Sequence, residues 1–185
     1  MLRKILAQNN IFTDLDCLIG QIKSDLTSFT KNRVILGIDG GLGVGKTKKV
    51  APKLKEALRT TVVSLDDFRG GNKNQYVNSL KVREIQSRLN NLTGTVLVEG
   101  VCLLAAAKKC KIEIDKFIYV KSYDKYGDWR DAEELEISQE PEKIISEIES
   151  KFSVRLIDLR KEIIHYHSEF TPYLVADYEF QVLET

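Results

Sequence analysis

The chain has 185 residues, 43% of them hydrophobic and 30% charged, an ordinary globular composition with enough apolar side chains for a sizeable core and no reason to expect more than one domain over 1–185. Its 28 basic and 27 acidic residues nearly cancel, which argues against nucleic acid or an acidic membrane surface as a partner. Cys17, Cys102 and Cys110 are odd in number and lack metal-ligand spacing, and no apolar run approaches the roughly 20 residues that span a bilayer, so reduced thiols and a cytoplasmic location are expected.

The opening Met1 to Ala7 turns polar at Gln8, too soon for a secretory core. Within an N-terminal helical segment over 1–30, Leu15, Leu18, Ile19, Ile22 and Leu26 recur at helical spacing behind Thr13 or Asp14 as N-cap. Residues 34–38 are an apolar run that predicts a buried strand, and they lead into Asp39-Gly40-Gly41-Leu42-Gly43-Val44-Gly45-Lys46-Thr47. The helix expected next carries Val50, Leu54 and Leu58 on one face and is expected to kink at Pro52, about two turns beyond the glycines. A second strand at 61–65 ends at Asp66-Asp67-Phe68-Arg69, and 70–79 is polar loop. Val82, Ile85 and Leu89 mark a helix over 80–92, followed by a third strand at 95–98, closed by Glu99-Gly100, and a short buried helix within 101–110. A fourth strand at 116–120 precedes 121–140, which loses periodicity and is dense in charge, predicting a solvated, mobile stretch that would serve as a lid. Pro141 suits a first helical position, apolar residues from Ile144 to Ile163 keep helical spacing with a break near Ser153, Pro172 stops that run, and 178–182 is a fifth strand.

Strands alternating with helices predict an α/β fold, a three-layer α/β/α sandwich around a mostly parallel five-stranded sheet, whose ligands bind beyond the carboxyl ends of the strands. The glycine turn, Asp66-Asp67 and Glu99 all fall at such ends, so the fold should gather them. Gly40, Gly45, Lys46 and Thr47 fill every fixed position of a phosphate-binding loop, with Gly41, Leu42, Gly43 and Val44 completing its backbone cradle. The expected ligand is a nucleoside triphosphate with Mg²⁺: Lys46 between the β- and γ-phosphates, the Thr47 hydroxyl on the metal. A dinucleotide pattern fails, because Lys46 stands where its third glycine belongs. Asp66 is the candidate general base and a candidate metal-side carboxylate. Glu99 interrupts an apolar stretch, where an acid is costly unless paired or near a metal. Arg69 would suit an anionic acceptor, with Asp67 and Phe68 beside it.

These motifs in register, with Ala176-Asp177-Tyr178-Glu179-Phe180 after Pro172, resemble the uridine kinase and phosphoribulokinase family of P-loop kinases over residues 30–183. The resemblance implies transfer of the γ-phosphate of ATP to a hydroxyl of a nucleoside, sugar or related metabolite, in a monomer or homodimer. It implies Asp66 as base, Thr47 and Glu99 on the Mg²⁺ side, and Phe68 beside the small-molecule acceptor. Family members carry an arginine-rich lid; here Trp129-Arg130-Asp131 sits among acids, making Arg130 the candidate lid arginine and Arg155 and Arg160 the alternatives. The poor lid and short 70–79 loop keep a second reading open, a nucleotide-binding module without transfer. No Asn-Lys-x-Asp guanine motif occurs. His165 and His167, two apart on a helix, would face different directions and are not expected to share a metal or act as base.

Overall fold

A strand buried on both faces needs a nearly unbroken apolar run, and the segment from Val34 to Gly40 supplies one, every residue of it buried. The computed structural model describes residues 10–71, 75–136 and 140–183, so 1–9 of the expected N-terminal segment, 72–74 of the polar loop and 137–139 of the expected lid lie outside the described residues. In chain order the first elements are β1 (Asn10–Phe12), α1 (Leu15–Leu26) and β2 (Arg33–Gly40), then a wide π-type turn over Lys46–Val50 running into α2 (Ala51–Leu58). Next come β3 (Thr61–Ser64), a 3₁₀ turn over Leu65–Phe68, α3 (Tyr76–Ser79), α4 (Val82–Asn90), β4 (Gly94–Glu99) and α5 (Leu103–Cys110). The chain closes with β5 (Lys116–Tyr123), α6 (Ala132–Leu135), α7 (Pro141–Phe152), α8 (Asp158–Phe170), α9 (Pro172–Val175) and β6 (Tyr178–Leu183).

Among the described residues the strands form one parallel six-stranded sheet in the order β1-β6-β5-β2-β4-β3. The expected five-stranded sheet is thereby corrected: β1 adds a sixth strand at the edge, and three residues are too few to carry a period-two signal. Helices α1 and α2 cover one face, packing Leu18, Ile22 and Leu54 on Leu36, Ile38, Leu97 and Ile118. On the other, α4, α5 and α8 pack Ile85, Leu103 and Ile163 on Ile35, Val96 and Phe117. Each fully buried aliphatic side chain contributes about 1.5–3 kcal/mol, so burial on both faces stabilises the β2–β4–β5 centre that carries the strand ends.

Three other expectations meet a physical correction. Pro52 sits in the first turn of α2, and the distortion lies upstream of it, in the wide turn where Val50 N–H and Ala51 N–H reach back five residues to Gly45 and Lys46 carbonyls. The 70–79 loop is not all irregular: Gly70 N–H donates to Ser79 O and Lys81 N–H to Phe68 O, a narrow excursion that includes α3. The 121–140 segment is solvated only in part over its described residues: 125–128, Arg130, Glu133 and Glu136 are exposed, but the rest is tied to the core. β5 runs on to Tyr123, Trp129 bridges back to it, and Leu135 is buried. The break at Ser153 is as expected, with a left-handed φ of 51° ending α7, and Asp14 caps α1 by accepting from Cys17 N–H.

Candidate functional site

The register of the sheet brings the signature residues together. Ile38 pairs with Glu99 across β2 and β4, and Ser64 pairs with Glu99 across β3 and β4, so the glycine loop and Asp66 leave the sheet on either side of Glu99. Gly40 turns the chain with φ 148°, and a Cβ there would run into the Val120 carbonyl, so no larger residue fits where the loop leaves the sheet. Gly45, at φ 96°, starts the helical turn, and its carbonyl accepts from Lys49 N–H. Leu42, at the loop tip, is exposed, while Val44 anchors the loop in the core.

Lys46 is almost completely buried, and its Nζ donates to the carbonyls of Gly40 and Gly41, each at 2.7 Å. Burial pulls its pKa below the ordinary lysine value, while Asp39, Glu99 and Asp66 oppose that shift. One ammonium therefore lies within electrostatic reach of three carboxylates. Thr47 Oγ1 donates to Glu99 Oε2 at 2.8 Å. Glu99 is 1% exposed and its other oxygen, Oε1, is buried with no hydrogen bond. A buried carboxylate oxygen without a partner is costly, and a hydroxyl beside it completes a hard-oxygen donor pair, so these residues fit Mg²⁺. Among the described residues no group of three or more His, Cys, Asp or Glu is placed to hold a metal ion.

Asp66 and Asp67 lie exposed on the 3₁₀ turn after β3, and Phe68 packs partly into the core. Tyr76 of α3 backs this turn. It is 1% exposed, its buried hydroxyl lies against the Asp66 carboxylate, and burial, then that carboxylate, push its pKa far up. A Cβ on Gly100 would come within 2.9 Å of that hydroxyl, and the Arg69 guanidinium lies 5.2 Å over the Tyr76 ring. The sequence carried no signal for Tyr76.

Asp39 carried one that was not read: like Glu99, it is an acid at the end of an apolar run. It is fully buried and accepts from Gly40 N–H at 2.7 Å, Leu103 N–H at 3.1 Å and the Tyr166 hydroxyl. Burial raises its pKa and Lys46 works against that rise. It thus ties the phosphate loop to α5 and α8.

Arg130 is exposed, and its backbone N–H donates to Ser122 O. It lines a cleft of about 520 Å³ together with Leu42, Arg155 and Arg160, so all three arginines singled out in the sequence face one opening. Trp129 holds this region down, edge-on to Tyr119 and Tyr173 with the Lys121 ammonium 4.4 Å from its ring. The two histidines diverge. His167 is buried, donates from Nδ1 to Ile163 O and accepts at Nε2 from the Tyr119 hydroxyl, and burial pulls its pKa down to about 4. His165 is half-exposed with its Nε2 3.3 Å from Glu142.

No protein-family model matches the sequence, and no curated protein does. Solved structures do. A possible uridine kinase from Bacillus stearothermophilus superposes with a TM-score of 0.52 at 18% identity, covering 90% of this chain and 96% of that one. A candidate fructose transport system kinase from Silicibacter sp. TM1040 gives 0.53 at 14% identity, over 91% of this chain and 99% of that one. The fold is that of the uridine kinase-like P-loop kinases, a three-layer α/β/α sandwich with a parallel sheet.

Proposed function

We propose that the chain is a uridine kinase-like phosphotransferase that moves the γ-phosphate of Mg-ATP to a hydroxyl of a small molecule, a nucleoside, sugar or related metabolite. The observation that carries this reading is the Thr47–Glu99 pair with its orphaned oxygen, lying between a complete phosphate loop and Asp66. The backbone N–H groups from Gly41 to Thr47 bind and orient the polyphosphate, and Lys46 exchanges its two loop carbonyls for phosphate oxygens. Thr47 and Glu99, with Asp66 beside them, would hold Mg²⁺, whose charge would offset that on the transferring group. Asp66, exposed on its turn, orients the acceptor hydroxyl and takes its proton. Phe68 forms an apolar wall for the acceptor, and Asp67 and Arg69 border it. The reading takes the protein as cytoplasmic and as a monomer or homodimer; the near-neutral charge balance supports the lack of a nucleic-acid or membrane-surface partner, and no described helix is long and apolar enough to cross a membrane.

The test is Mg-ATP consumption with a panel of nucleosides, sugars, sugar phosphates and vitamin precursors, product identified by mass, with Asp66→Asn alongside. A phosphorylated product that falls by about 100-fold or more in the variant supports the reading. ATP binding without product from any acceptor turns it towards the second reading, a nucleotide-binding module without transfer, which the engagement of Arg160 by Glu134 favours.

A further inference from the structure

A segment expected to cover a polyanion carries Asp131, Glu133, Glu134 and Glu136 within seven residues of Arg130. The structure gives each of the inward acids a definite place. Asp131 abuts the phosphate loop, where a Cβ on Gly41 would fall 2.5 Å from Asp131 Oδ2. Glu134, one turn on, is 15% exposed and accepts from Arg160 Nε at 2.8 Å and from Arg160 Nη2. Arg160 comes from α8 and lines the same cleft as Leu42 at the loop tip and Asp131. Asp131 feels Glu134, Arg130, Arg160 and Lys46 electrostatically, so one chain of charge runs from the loop lysine through two carboxylates to Arg160.

We infer that Arg160 is the second cation of the triphosphate site, beside Lys46, and that Glu134 and Asp131 are internal counter-ions that hold its place until phosphate oxygens replace them. This rests on the nucleotide-binding reading of the same site. A guanidinium gripped by two oxygens of a carboxylate offers the same planar fork to a phosphate, so exchange needs little change at Arg160. Its side chain is 44% exposed, so it swings without leaving an unpaired buried charge, unlike Lys46. A polyphosphate in the loop would meet the Asp131 carboxylate at Gly41 first. Repulsion there loosens α6, and Glu134 on that helix releases Arg160 to the incoming charge. The acids then set the affinity: they compete with the ligand for the cation they store.

The experiment is calorimetric titration of the full chain with Mg-ATP, comparing the natural protein, Glu134→Gln, Arg160→Lys and the double variant, each with its thermal midpoint. Glu134→Gln is expected to bind about fivefold tighter, Arg160→Lys about fivefold weaker, and the double variant no tighter than Arg160→Lys alone. A purely structural ion pair lowers the thermal midpoint of Glu134→Gln and gives no gain in affinity. If the natural protein binds and Glu134→Gln binds equally or more weakly, the inference is overturned and the nucleotide-binding reading stands. If no form binds Mg-ATP, both fall.

Discussion

The floor of the site and its rim are built on opposite principles. Asp39, Lys46 and Glu99 are buried at the strand ends, and Asp39 and Lys46 bond to backbone fixed by the sheet or the loop. Arg130, Arg155 and Arg160 stand exposed on the rim, where side chains pair with side chains across helices. Buried charges without solvent change partners only where a ligand supplies the replacement, because any other departure leaves a desolvated group unpaired. Rim charges, screened and weakly held, exchange partners at small cost. The difference separates a preorganised phosphate cradle from an adjustable cover.

Breaking the floor should be expensive. Asp39→Ala leaves Gly40 N–H, Leu103 N–H and the Tyr166 hydroxyl without their shared acceptor and strips Lys46 of the carboxylate that most offsets its burial. The expected loss is about 3–5 kcal/mol of stability, read by urea unfolding. A loss below about 1 kcal/mol would mean the floor is as adjustable as the rim.

His167 sharpens the same contrast through pH. Its folded pKa of about 4 lies below the ordinary 6.5, so between those values the unfolded chain binds a proton that the folded chain does not. Stability is then expected to fall as pH drops from about 6.5 towards 4, by about 3 kcal/mol in all, and to be unaffected by this group above 6.5. Thermal midpoints across that range measure it, and His167→Gln should flatten the slope.

How much of this was legible in the sequence follows the same division. The glycine loop, Asp66 and Glu99 were readable because each combines a local motif with a strand end, and a parallel sheet collects strand ends. Asp39 carried the same signal as Glu99 but sits inside the loop motif, which hid it. The rim was only partly readable because its pairings are distant in sequence: Glu133 and Glu136 are exposed as a charged run suggests, but Glu134 turns in to Arg160 on α8, and nothing local marks which acid does so. Strand β1 was missed for lack of length, and Tyr76 because nothing in a polar loop marks one tyrosine as the backing of a carboxylate.

Tyr76→Phe is a finer probe of that acceptor side. The hydroxyl it removes is buried against the Asp66 carboxylate without a well-formed hydrogen bond, so stability should change by less than about 1 kcal/mol in urea unfolding. Loss of more than that would reveal a partner the hydroxyl needs.

The smallest effect belongs to Arg130. It is exposed, so its charge is screened by solvent. Arg130→Ala should weaken Mg-ATP binding by less than about threefold, and added salt should shrink the difference further, as for any screened surface charge. Thr47→Ala removes a hydroxyl that Glu99 holds in a buried pair and should weaken Mg-ATP binding by about tenfold, with little response to salt. Were Arg130→Ala to cost more than Thr47→Ala, the rim would be carrying the ligand and the floor only shaping it, and the division between cradle and cover would have to be reversed.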